Sequence, residues 1–152
     1  MSVWSDWRAL RAFKALPDEQ RRIVVYSESG QDWHHFEPVI AELTGRLGRH
    51  VCYLSSDPGD PGLTADDPRR HGFAIGAGLV RTVAFQFLQA RVALMTMIDL
   101  HNLQLKRSIN PVHYVFMFHS LISTHMADFA ESYDHYDTIL CACLLYTSDA
   151  AD

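Results

Sequence analysis

The chain has 152 residues, 48% hydrophobic and 20% charged, with a formal net charge of -5. That length supports one domain with a sizeable core. The acidic balance argues against a general nucleic-acid binder, whose phosphate contacts need a basic surface. No apolar run reaches the ~18 residues a transmembrane helix requires, and the N-terminus, which mixes Trp, Arg and Asp, has no signal-peptide core.

Residues 4–16, "WSDWRALRAFKAL", place Trp4, Trp7, Leu10 and Phe13 at steps of three, with Arg8, Arg11 and Lys14 on other faces. The spacing predicts an amphipathic helix ending before Pro17. It either packs on the domain edge or rests its basic and aromatic groups on a membrane surface. Residues 22–28, "RIVVYSE", form a β-branched run. Residues 33–48 have helical spacing, with Phe36, Ile40, Leu43 and Leu47 on one stripe, Pro38 in the first turns and Gly48 as the stop.

A second strand follows at 50–56, then a loop rich in Pro, Gly and Asp over 57–70. Residues 72–76 suit a short third strand. Residues 78–90 read as a helix with Leu79, Val83 and Phe87 in register. Further strands are expected at 91–97, 113–118 and 136–142. Nearly apolar strands separated by helices indicate an α/β domain, a Rossmann-like parallel sheet with helices on both faces. The expected organisation is a helix at 1–16, the domain at 17–142 and a tail at 143–152.

In such sheets ligands bind beyond the carboxyl ends of the strands. Those ends are polar here: Ser27-Glu28-Ser29-Gly30, Ser55-Ser56-Asp57, Asp99-Leu100-His101 and His119-Ser120. An apolar strand ending in imidazole is what a chain leaving the core for a cleft would show. His113 and His119 flank one strand roughly 20 Å apart, so they cannot share a site. His119 and His125, on a helix, would be turned about 240° from one another. A paired-histidine metal site is therefore not expected. Cys141-x-Cys143 lacks a second pair, and Cys52 and Cys141 lie in apolar runs, which suits reduced core thiols in a cytoplasmic protein. The loop "SESGQD" has one glycine, so the dinucleotide fingerprint is absent, as are the P-loop and G-x-S-x-G patterns. No cofactor is called for.

Several spaced blocks, "RRIVVYSESGQDWHHFEPVIAEL", "VCYLSSDPGDPGL", "MTMIDLHNLQLKRSINPVHYVFMFHSLISTHM" and "YDHYDTILC", together resemble the CDP-glycerol glycerophosphotransferase family of polymer-forming enzymes. The resemblance runs from about Leu16 to Ala142. It implies the N-terminal, acceptor-side half of a GT-B-type fold. It also implies transfer of glycerol phosphate from CDP-glycerol to a hydroxyl of a lipid-linked cell-wall polymer, on the inner face of the cell membrane. In the family a Trp-His-Gly-Thr-Pro motif supplies a proposed general base. The matching position is His119, although the flanking Phe118, Ser120 and Leu121 depart from that motif. Ser27, Glu28, Gly30, Asp99, His101 and Ser120 are the expected acceptor-binding residues. The resemblance also implies that the family's donor-binding half lies beyond these residues, so this chain alone is expected not to turn over. Residues 143–152, "CLLYTSDAAD", resemble a translated sequencing adaptor and are expected not to be native. Two rivals are a non-catalytic polysaccharide biosynthesis or export module with the same half-fold, and a metal hydrolase built on Asp99, His101 and His119.

Overall fold

The computed structural model describes residues 2–64, 66–97, 100, 105–117 and 133–140. Six strands form one sheet: β1 (Ile23–Ser27), β2 (Val51–Ser55), β3 (Arg70–Ala74), β4 (Val92–Met95), β5 (His113–Met117) and β6 (Thr138–Leu140). All five pairings are parallel, in the order β3-β2-β1-β4-β5-β6. This is the strand order of the doubly wound Rossmann sheet, and its direction of winding reverses between β1 and β4.

The period-2 alternation of strands builds two cores. Val24, Tyr26, Cys52, Leu54, Ala93, Met95 and Tyr114 point to one face. There they meet Leu10 and Phe13 of α1 (Val3–Ala15) and Val80, Ala84 and Phe85 of α3 (Leu79–Gln86). Val25, Val51, Tyr53, Leu94, Val115 and Met117 point to the other face, under Phe36 and Ile40 of α2 (Trp33–Ala41). Each large apolar side chain so buried contributes about 1.5–3 kcal/mol of transfer free energy. Edge-to-face rings add to this, as in Tyr26 against Phe85 at 4.8 Å. The Cys52 thiol is reduced and buried, donates to the Gln20 carbonyl, and is pushed up to about 12 by desolvation. Cys141 and Cys143 lie outside the described residues.

Two helical stripes differ from the sequence expectation. On α1, Leu10 and Phe13 are buried while Trp4 and Trp7 are exposed. A step of three residues falls about 60° short of a full turn, so the stripe winds round the helix and Trp4 ends opposite Phe13. On α3 the buried residues are Val80, Arg81, Ala84 and Phe85, whereas Leu79 and Phe87 face outward. The α2 stripe holds at Phe36 and Ile40, but the helix then widens into a π-turn over Glu42–Arg46 and Leu47 is left exposed. Gly48 closes this segment at φ 58°, a left-handed conformation that a glycine adopts without strain. Pro38 sits sixth in α2, past the first turn where proline is free of cost.

The loop after β2 is fastened from within. Asp60 is 3% exposed, and its carboxyl accepts from Tyr53 OH at 3.0 Å, Ser55 Oγ at 2.7 Å and the Gly62 amide at 2.8 Å. Removing it would orphan three buried donors. Asp60→Ala is therefore expected to lower stability by about 3 kcal/mol. Denaturant unfolding measures this, and a loss below about 1 kcal/mol would show that the three donors find other partners.

Candidate functional site at the sheet switch point

Sheets of this order open a crevice beyond the carboxyl ends of the two strands that flank the switch point, which here are β1 and β4. On the β1 side the chain runs from Ser27 through a 3-10 turn, Gly30–Asp32, into α2. On the β4 side it continues through Thr96 and Met97. Asp32 Oδ2 accepts from Thr96 Oγ1 at 3.4 Å, bridging the two sides. Tyr136, from the segment entering β6, donates its hydroxyl to the Met97 carbonyl and packs edge-on against Phe116. Burial, then the nearby Glu28 charge, raises the Tyr136 pKa, so the phenol stays protonated.

The residues expected at this rim separate into two roles. Ser27 is fully buried and donates to the Ser29 carbonyl at 2.7 Å, so it shapes the turn. Gly30 is packed against the loop after β2: an added Cβ would stand 3.1 Å from both Asp60 Cα and Pro61 Cδ. Its amide donates to Asp57 Oδ2 at 3.0 Å, while Asp57 Oδ1 accepts from the Gly59 amide at 2.9 Å. The two loops thus form one wall. Ser55 belongs to the Asp60 network described above, and Ser56 donates to the Gly76 carbonyl at 2.8 Å. Glu28 alone of these is exposed to solvent, with its Oε1 3.9 Å from Arg81 Nη1. Asp99, His101, His119 and Ser120 lie outside the described residues. The strand that precedes His119 ends at Met117, on the same carboxyl edge and beside β4.

Arg81, Asp32 and Tyr136 are site residues that the sequence reading passed over. Arg81 is 7% exposed and donates to Tyr26 OH at 3.1 Å. Tyr26 in turn lies 2.8 Å from Ser56 Oγ. Because Ser56 donates to Gly76, the chain of donors runs Arg81, Tyr26, Ser56, Gly76. Desolvation raises the Tyr26 pKa, against the bond to Ser56 and the opposing charge of Arg81. The signal in the sequence was a single arginine on the Val80, Ala84, Phe85 face of an apolar helix.

Chemically, the crevice offers carboxyl oxygens from Glu28 and Asp32, the Thr96 hydroxyl and a buried guanidinium. Carboxylates at a helix entrance repel a phosphate there, so a diphosphate seated on the start of α2 is disfavoured. Hydroxyl groups, which donate to carboxylates, suit it better. Among the described residues no set of three or more His, Cys, Asp or Glu is placed to hold a metal ion. Searches against family models, curated proteins and solved structures found no match to this chain.

The Asp57 latch is acid-labile by construction. Its bonds from the Gly30 and Gly59 amides hold its pKa below the ordinary 3.8. A depressed folded value means that the contribution is complete above 3.8 and is lost as the pH falls through the folded pKa. At neutral pH, Asp57→Ala is expected to lower the exchange protection of the Gly30 and Gly59 amides by about threefold to tenfold. Wild type should approach the same protection as the pH falls below 3.8. Unchanged protection factors in the variant would remove the latch.

Proposed function

We propose that this chain is the acceptor-side half of a glycerophosphotransferase-like enzyme, with His119 as the general base. Two kinds of observation support this reading. The sequence blocks carry the family resemblance, and the sheet has the Rossmann order with an acid- and hydroxyl-lined crevice at its switch point. The observation that carries most weight is the end of β5 at Met117 on the carboxyl edge, beside β4. The chain reaches His119 two residues later.

In this reading a polyol hydroxyl of the acceptor is oriented by Glu28, Asp32 and Thr96, with Asp99, His101 and Ser120 as further acceptor contacts. The His119 imidazole takes the hydroxyl proton as its oxygen attacks the phosphorus of CDP-glycerol that bears the glycerol, and the bond to CMP breaks. The family's second domain supplies the cytidine and diphosphate contacts. In the full-length protein, His119→Ala should lower kcat by about 10²-fold or more, the scale of a lost general base. Release of CMP from CDP-glycerol measures it. Unchanged turnover would reject the role, and no CMP release by the wild-type protein would favour the non-catalytic module.

A lipid-linked acceptor requires approach to a membrane. Among the described residues no helix is long and apolar enough to cross one. The outer face of α1 instead carries Trp4, which is 82% exposed, with Trp7, Arg8 and Arg11 around an apolar groove. The one acidic residue of this helix, Asp6, lies on the inner side against Gly76. An exposed stripe of indoles and cations fits the interface of an anionic bilayer. Deleting the helix would remove Leu10 and Phe13 from the core, so point changes are the cleaner probe. Trp4→Ala with Trp7→Ala should lower co-sedimentation with phosphatidylglycerol vesicles by about tenfold, at roughly 1.4 kcal/mol per factor of ten. Equal pelleting would exclude α1 as the contact.

A further inference from the structure

The opposite edge of the sheet, where the strands begin, carries a different chemistry. Two adjoining cavities open there, of about 460 Å³ and about 430 Å³. Arg22 and Arg91 line both. Arg21 lines the first, and Arg49 and His50 line the second. These cations come from three separate segments: the entry to β1, the turn before β2 and the turn before β4. Three backbone donors of that edge are already used, since the Val92 and Arg91 amides bond to the Arg22 carbonyl and the His113 amide bonds to the Arg91 carbonyl. A ligand there would be held by side chains.

Four guanidiniums gather on a chain whose net charge is -5. Each cavity has one carboxylate in its lining, Asp18 in the first and Glu19 in the second. Arg21 pairs with Asp18, and Arg22 lies 3.8 Å from Glu19, but the two carboxylate side chains are 90% and 83% exposed. Such solvated pairs are worth little and yield readily to a stronger anion. Among the described residues no carboxylate lies within 4.0 Å of Arg49 or Arg91, and both are exposed. Arginine forks match phosphate oxygens in a way that ammonium groups do not.

We infer that the amino edge of the sheet is a second binding site, for a phosphate-bearing anion held between Arg22, Arg49 and Arg91. It lies at the far end of the strands from the switch-point crevice and does not depend on the transferase reading. Two contiguous cavities sharing two arginines suit a ligand with more than one phosphate, or several neighbouring headgroups.

Titration calorimetry of the full 152-residue chain with inorganic triphosphate tests the site, beside co-sedimentation with phosphatidylglycerol vesicles. Arg49→Gln with Arg91→Gln should weaken binding about tenfold or more. Arg49→Lys with Arg91→Lys, which keeps the charge, should recover only part of it. Arg8→Gln with Arg11→Gln, on the outer face of α1, should leave triphosphate binding within about twofold of wild type. All these side chains are exposed, so the variants should fold, and circular dichroism checks this. Loss of triphosphate binding in the Arg49 and Arg91 variant marks a soluble phosphate ligand. Loss confined to vesicle pelleting marks lipid headgroups. An equal triphosphate loss in the α1 control, full recovery by lysine, or no binding of either probe by wild type would overturn the site.

Discussion

A parallel sheet covered on both faces leaves its polar side chains only two places to go. Residues of β1 such as Val24, Val25 and Tyr26 are sealed beneath helices, and the neighbouring strands are sealed with them. A charge inside those layers would pay a desolvation cost that no partner there repays. Titratable groups therefore collect at the two strand edges. The carboxyl edge holds Glu28, Asp32 and Asp57, while the amino edge holds Arg21, Arg22, Arg49 and Arg91. One end of the domain is suited to donors such as hydroxyls and the other to anions.

At the carboxyl edge the loops after β1 and β2 are fastened by side-chain hydrogen bonds. Gly30 lets the loops after β1 and β2 touch, and Asp57 and Asp60 bind them with amide, phenol and hydroxyl donors. That fastening joins the loops on the β1 side, and the β4 side is tied through Thr96 and Met97. Acid weakens the arrangement, since the depressed Asp57 pKa makes its latch fail as the pH drops below the usual aspartate range. A second acid-sensitive contact lies at the amino edge. There the His50 and His71 ring nitrogens meet at 3.0 Å, and burial, with the neighbouring His50, lowers the His71 pKa. For a histidine with a lowered folded value, stability is complete above 6.5 and declines as the pH falls below it.

Much of the sheet could be read from the chain because buried parallel strands are continuous apolar runs. "RIVVYSE", "HVCYLSS" and "HYVFMF" each contain a strand within a residue or two of where it lies. The third strand starts earlier than expected, at Arg70, because a buried arginine and a histidine hide the pattern there. Helix faces were harder. Steps of three in α1 looked like one stripe and are a spiral, and Leu79 and Phe87 drew attention away from the Val80 and Ala84 face of α3. The polar fastenings were not legible at all. Arg81 and the arginines of the amino edge gain their meaning from residues far away in the chain, as Arg81 does from Tyr26, 55 positions earlier, and Arg91 from the Arg22 carbonyl. No local spacing encodes such pairings.

In the proposed function, the switch-point crevice between β1 and β4 receives the acceptor. Backbone amide chemical shifts of the 152-residue chain, followed while glycerol, the uncharged hydroxyl-bearing unit of the proposed acceptor, is added, test it most directly. The prediction is saturable movement at the amides from Ser27 to Asp32 and at Thr96 and Met97. Stationary signals at those positions, with shifts confined to other surfaces or absent, would contradict it.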